Sequence, residues 1–283
     1  MNKGFLLLAA VCLSLYGRAQ NDTTHNRVTD TTQAGAHKED SLRVGNLIIV
    51  RNGHPTQDEP EHMRSHNHNY RSYVPNISTD WIILDLGFAN YNDRTNYSSA
   101  AAQQFAPGAT KDWFGLRTGK SVDVNIWLFM QRLNLIKHVV NLKYGFGIEL
   151  NNYRYEDNIR FHTNPTQVVM DTVNYAKDKL AVDYFTVPFL LNFNFAPHRR
   201  NDYGFSVGAS FGYKYSSRQK FKNDEIGKKK TFNSFDLEPW KISWIGELSL
   251  GYLKLYGSYA TKSMFQNGLD QIPYTVGIRF GHW

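Results

Sequence analysis

From residue 80 to the end of the chain, bulky apolar residues alternate with small or polar ones in eight stretches. This period of two marks strands whose two faces meet unlike surroundings. The first stretch, about 80–91, sets Ile82, Leu84, Leu86 and Phe88 against Ile83, Asp85, Gly87 and Ala89. The second, about 120–131, sets Val122, Val124, Ile126, Leu128 and Met130 against Asp123, Asn125, Trp127 and Gln131. The third, about 139–153, opposes Leu142, Tyr144, Phe146, Ile148 and Leu150 to Lys143, Gly145, Gly147 and Glu149. Further stretches lie at about 180–195, 202–215, 240–251, 254–262 and 272–283.

The connections between these stretches also alternate. Long ones are predicted at 92–119, 154–179 and 216–239, and short ones near 132–138, 196–201 and 252–253. Long loops at one end and tight turns at the other are the rhythm of membrane β-barrels. A soluble eight-stranded barrel of the lipocalin kind also alternates, so the decision falls to the chemistry of the two faces.

One face is bulky and aromatic. The other is rich in Gly and Ser and carries Asp85, Asp123, Lys143, Glu149, Lys214, Glu247 and Arg279. Small residues and mixed charges suit a narrow interior in which ions pair with one another. Rings fall toward the stretch ends, as in the double aromatic girdle of a membrane barrel. Tyr153, Tyr213, Trp240 and Tyr274 are predicted at the long-loop rim, Trp81 and Tyr203 at the other, with Trp244 on the same lipid-facing row. The expected fold is all-β: an eight-stranded antiparallel transmembrane β-barrel over 80–283, preceded by a flexible periplasmic segment.

Composition sharpens this picture at the N-terminus. Lys3 followed by the apolar run 5–15 and by Gly17-Arg18-Ala19 reads as a signal peptide, residues 1–19, cleaved after Ala19. The single cysteine, Cys12, lies inside that leader, so the mature chain would need no disulfide. Losing Lys3 and Arg18 lowers the formal net charge from +7 to +5. That balance suits anionic lipid headgroups and gives no reason to expect nucleic acid. Nowhere does an apolar run reach the roughly 18 residues of a spanning helix.

Residues 20–79 are polar and poor in aromatics, the composition of a flexible segment. Within it, Leu42-Arg43-Val44-Gly45-Asn46-Leu47-Ile48-Ile49-Val50 reads as a hairpin about Gly45-Asn46, or as one extended strand. A two-stranded ribbon is marginal alone, so docking on the barrel mouth is expected. His54, His62, His66 and His68 stand in the same segment as candidate copper or zinc ligands. A solvated linker is the plainer reading, and neither metal nor cofactor is expected.

The stretch Trp81-Ile82-Ile83-Leu84-Asp85-Leu86-Gly87-Phe88, the pairs Gly204-Phe205 and Phe211-Gly212-Tyr213, and the ending Gly277-Ile278-Arg279-Phe280-Gly281 resemble the PorT-type, OmpA-like outer-membrane β-barrel proteins of the Bacteroidota. Arg43-Val44-Gly45-Asn46 resembles a segment found before such barrels. The resemblance implies an outer-membrane location. One departure is that Trp283 shares its phase with Gly281 and Arg279, not with the lipid-facing Phe280.

Catalysis is not expected. No His-x-Ser pattern occurs near His138, His162, His198 or His282, and the inward acids are spread singly along the strands. Nor is an open pore expected, since eight strands enclose space only for their own side chains. What is expected is a non-enzymatic structural or partner-binding protein working through its outer loops. Its partners would be outer-membrane lipid and lipopolysaccharide, met by Lys228-Lys229-Lys230, or another envelope protein. An accessory subunit of a secretion or assembly machine, acting through residues 20–79, is the alternative. A soluble periplasmic carrier is a third.

Overall fold

The computed structural model describes residues 41–44, 47–50, 75–173, 175–197, 203–223 and 227–281. The proposed leader, the four histidines of 54–68, and Trp283 lie outside them. The chain divides into two compact units, Met1–His68 and Asn69–Trp283. In the first, β1 (Ser41–Val44) and β2 (Leu47–Val50) pair antiparallel, Ser41 opposite Val50 and Val44 opposite Leu47. This is the hairpin alternative, with Gly45-Asn46 between the strands.

The second unit is built on an antiparallel sheet of nine strands among the described residues. Eight of them are β3 (Ile77–Asp93), β4 (Val122–Ile136), β5 (Val140–Arg154), β8 (Lys177–Asn194), β9 (Tyr203–Asn223), β11 (Trp240–Leu250), β12 (Leu253–Ala260) and β13 (Gln271–Phe280). Each alternating stretch of the sequence falls on one of these strands. Each strand pairs with its neighbour in chain order, and β13 pairs back on β3, from Gln271 opposite Asp93 to Phe280 opposite Leu84. The hydrogen-bonded order therefore returns to its start as a ring, which leaves no long free edge.

Tight turns close one end. Between β4 and β5, Lys137 and His138 both take positive φ, and the Val139 amide donates to the Ile136 carbonyl at 2.9 Å. That is the left-handed two-residue turn whose twist matches paired strands. Gly251 supplies the positive φ between β11 and β12.

The opposite end carries the long connections, and here the sequence reading needs correction. Residues 154–179 contain a hairpin, β6 (Ile159–Thr163) with β7 (Thr166–Met170). β9 runs past 215 to Asn223, and β10 (Gly227–Phe232) pairs back along it. Residues 92–119 include the helix α1 (Ala100–Phe105), whose first turn is capped by Ser99 Oγ accepting from the Ala102 amide at 3.2 Å.

Candidate functional site

Alternation decides which side chains enter the ring. In β5 every second residue from Asn141 to Tyr153 is buried. Its intervening residues look outward. The inward rows of β3, β4, β5, β11 and β13 bring together Asp85, Asp123, Lys143, Glu149, Glu247 and Arg279, each nine-tenths buried or more.

These groups form a cluster around Arg279 and a second zone holding Glu149 and Asp123. Arg279 binds Asp85 with two donors, Nε to Oδ1 at 2.6 Å and Nη2 to Oδ2 at 2.8 Å. Its Nη1 pairs with Glu247, whose other oxygen accepts from Lys143 Nζ at 2.9 Å. Trp127 Nε1 donates to Asp85 Oδ2 at 2.7 Å. In the second zone Glu149 pairs with Lys241 and accepts from Asn151 at 2.9 Å and Thr186 at 3.3 Å. Asp123 accepts from Tyr256 OH at 2.5 Å and Asn125 at 3.0 Å. A buried ion is tolerated only when paired and hydrogen-bonded; each of the four carboxylates accepts from at least two donors, while Asp123 Oδ1 is buried without a hydrogen-bond partner among the described residues.

Two inward glycines make room for rings. A Cβ on Gly147 would sit 2.7 Å from the Trp127 ring, and one on Gly87 would sit 2.5 Å from Tyr256 OH. With those rings seated, the lumen cavity lined by Asp85, Trp127, Glu149, Glu247, Tyr256 and Arg279 has a volume of about 30 Å³. That is room for about two waters.

Several predicted positions differ. Lys214 does not join the lumen network. It stands at the loop end, where its Nζ donates to the Leu237 carbonyl at 2.5 Å. β9 passes out of the ring at that level, so the inward row there meets a loop. Tyr153 is not a girdle residue. It is 2% exposed and faces Tyr91 inside, as its shared phase with Lys143 and Glu149 requires. Tyr274 is only half-buried rather than open. Trp81 has the phase of inward Ile83 but is 70% exposed, because Ile82 takes φ 56° and re-phases the strand below it. Tyr203, Tyr213, Trp240 and Trp244 are exposed on the outer face, and Tyr213 and Trp240 pack at 4.9 Å. Lys241, Tyr256 and Asn151 belong to the lumen network although none was among the residues predicted for it.

Above the ions, the long connections fold onto one another. Phe161 of β6 stacks on Phe265 at 6.2 Å and meets Phe235 edge-on at 5.6 Å, while Phe105 of α1 meets Phe265 at 5.5 Å. The three long connections and the segment between β12 and β13 thus supply rings to one buried core, which also holds Phe114, Tyr155, Leu237 and Met264. Gln219 and Asp178 pin β6 to the sheet. Asp178 accepts from the Ile159 amide at 3.1 Å and from Gln219 Nε2 at 2.9 Å, and Gln219 Oε1 accepts from the Phe161 amide at 3.1 Å. Burial pushes the Asp178 carboxyl up to about 7, against the lowering effect of those donors.

The outer surface of the ring is the reverse of an ordinary protein surface. Leu86, Phe88, Leu128, Phe189, Leu191, Val207, Phe211, Ile242, Leu248, Val276 and Ile278 are all exposed, while the ions are hidden. The profile of the outer membrane protein beta-barrel domain family matches residues 85–262. The chain belongs to that family. A comparison with curated proteins found no match. The family's matched span runs from inward Asp85 through the segment following β12, so it covers most of the lumen clusters and of the loop-end core. Family membership supports an outer-membrane location.

Proposed function

We propose that the protein is a non-enzymatic, eight-stranded transmembrane β-barrel of the outer membrane. It is sealed by its own side chains and presents a folded cap to a partner outside the cell. The observation that carries this reading is the inversion of polarity across the sheet: exposed apolar rows outside, paired ions inside. β11 spans 11 residues with outward Trp240, Ile242, Trp244, Leu248 and Leu250. A tilted strand needs about 9–11 residues to cross a bilayer. The small lumen argues for a closed scaffold rather than a conducting one.

An exported N-terminus and an even strand number direct the tight turns to the periplasm and the cap to the exterior. The PorT-type, OmpA-like resemblance and a leader cleaved after Ala19 are consistent with that orientation. The hairpin of β1 and β2, marginal alone, favours a second reading in which residues 20–79 engage an envelope machine.

The test is fractionation followed by reconstitution. The protein should partition with outer membranes, require detergent once extracted, and give no steady conductance in planar bilayers. The cap should be cleavable by protease added to intact cells. Recovery in the soluble periplasmic extract would refute the reading. Loss of function on deleting residues 20–79, with the barrel still inserted, would favour the machine.

A further inference from the structure

At the loop end, β8 and β9 overrun the apolar band, and their outward face changes abruptly in charge. Lys179 lies opposite Lys220, and Lys177 opposite Lys222. On the far side of β9, Lys220 lies opposite Lys230 and Lys222 opposite Lys228. On the near side, Arg154 of β5 lies opposite Lys179. One row therefore crosses four strands, with Arg154, Lys179, Lys220 and Lys230, and the next crosses three, with Lys177, Lys222 and Lys228. Lys229 takes the other face, so only two members of the triplet join.

Like charges directly opposite in a sheet are destabilising. Here they recur at four Lys–Lys pairs. Asp183 pairs with Arg218 just below the rows. Arg154 Nη2 donates to the Ala176 carbonyl at 2.7 Å, and Lys179 Nζ donates to the Asn152 amide oxygen, which carries no charge to offset it. Asp224 and Glu225, in the connection from β9 to β10, lie outside the described residues. Burial, then Lys177, Lys220, Arg218 and Arg154 in turn, lower Lys179 to about 8, and burial, Arg218 and Lys230 lower Lys220. Such crowding is expensive unless an anion sits on it.

Immediately below the cations the same face becomes a column of rings. Phe185 stacks on Tyr215 at 4.3 Å and on Phe146 at 6.0 Å. Phe189 meets Phe211 at 6.3 Å, and Phe193 stacks on Phe205 at 4.9 Å. A ligand that satisfies both zones has clustered negative charge at one end and long apolar chains at the other.

We propose that the loop-end face of β5, β8, β9 and β10 binds a phosphorylated lipid of the outer leaflet. Its phosphates sit on the Arg154–Lys179–Lys220–Lys230 and Lys177–Lys222–Lys228 rows, and its acyl chains lie along the ring column. The site rests on the membrane reading above and goes beyond it in naming the ligand class and the residues.

The experiment uses full-length protein in zwitterionic detergent. Retention of bisphosphorylated lipid A is followed by native mass spectrometry and by titration, beside the same lipid with its phosphates removed, and inorganic phosphate. Wild-type protein should retain the phosphorylated lipid, and the dephosphorylated form should bind at least roughly a thousandfold more weakly, since four or more cations at about 1 kcal/mol each, at about tenfold per 1.4 kcal/mol, amount to about that factor. The Lys177→Gln/Lys179→Gln/Lys220→Gln/Lys222→Gln variant, which removes four of the seven cations, should bind the phosphorylated lipid roughly a thousandfold more weakly. Without lipid it should melt higher than wild type, because repulsion is relieved. Lys111→Gln/Lys120→Gln, exposed lysines of the cap, should change neither property. Should the quadruple variant not fold, Lys228→Gln/Lys230→Gln removes two cations from β10, which lies outside the ring. Equal retention of both lipids, unchanged binding by the variants, or inorganic phosphate binding as tightly as the lipid would each overturn the site. A protein that stays monomeric without detergent would instead overturn the membrane reading.

Discussion

The lumen and the cap are both buried, yet they are built from opposite chemistry. Inside the ring, Asp85, Glu247 and Arg279 hold the wall together through charge-assisted hydrogen bonds. Above it, Phe105, Phe161, Phe235 and Phe265 pack ring on ring. The difference follows from the solvent on the far side of each wall. Where lipid bathes the outside, apolar residues are drawn outward and leave small and ionic groups for the interior. Beyond the apolar band the outside is water, and the ordinary hydrophobic effect gathers rings inward. The crossover is visible within single strands. In β5, Lys143 and Glu149 face in at mid-strand, whereas Tyr153, four positions on and in the same row, faces in among rings.

This comparison can be broken at the lumen first. Arg279→Met leaves Asp85 and Glu247 without their shared cation and should cost about 3–5 kcal/mol. Urea titration of the detergent-folded protein should show a single earlier unfolding transition of the whole ring. In the cap, Phe161→Ala should cost about 3 kcal/mol, but locally. Proteolysis of the β6–β7 hairpin should accelerate, while the band shift of the heated barrel on gels stays unchanged.

A smaller effect separates the regions by pH. Asp178 has its carboxyl raised from near 4 to about 7 in the folded cap. A raised acid favours the folded state most below its unfolded value, and that advantage is lost as pH climbs through the folded one. Hydrogen exchange at the Ile159 amide should therefore quicken between about pH 4 and 7, by an amount on the order of 2 kcal/mol after allowing for partial solvent contact. Asp178→Asn should flatten that dependence. The smallest change belongs to the outer face. Trp244→Ala removes a lipid-exposed ring and should shift stability by less than about 1 kcal/mol, while removing part of the fluorescence quenched by brominated lipid.

Strand positions were legible because alternation of period two survives whatever solvent lies on each side. The inward charges were legible for the same reason, as Asp85, Asp123, Lys143, Glu149, Glu247 and Arg279 each share a row with Gly or Ser. Their partners were not, since Arg279 meets Glu247 only after the ring closes. Tyr153 was misplaced because residue type outweighed phase: a tyrosine near a strand end suggests a rim, but its row points inward. Lys214 was misplaced because phase alone does not say where the lumen stops. The cap was hidden in loops read as surface, although Ile159-Arg160-Phe161 and Val168-Val169-Met170 around Asn164-Pro165 carry a hairpin pattern.

The central claim, that the apolar row meets acyl chains, is open to direct measurement by spin labels on single cysteines in reconstituted bilayers, the native Cys12 being removed. Labels at Leu128, Val207 and Val276 should be relaxed by oxygen and shielded from a water-soluble nickel chelate. Labels at Lys111 and Lys120, on the cap, should show the reverse. If the chelate reaches Leu128, Val207 and Val276 as readily as it reaches the cap, the outer face is wet and the account is wrong.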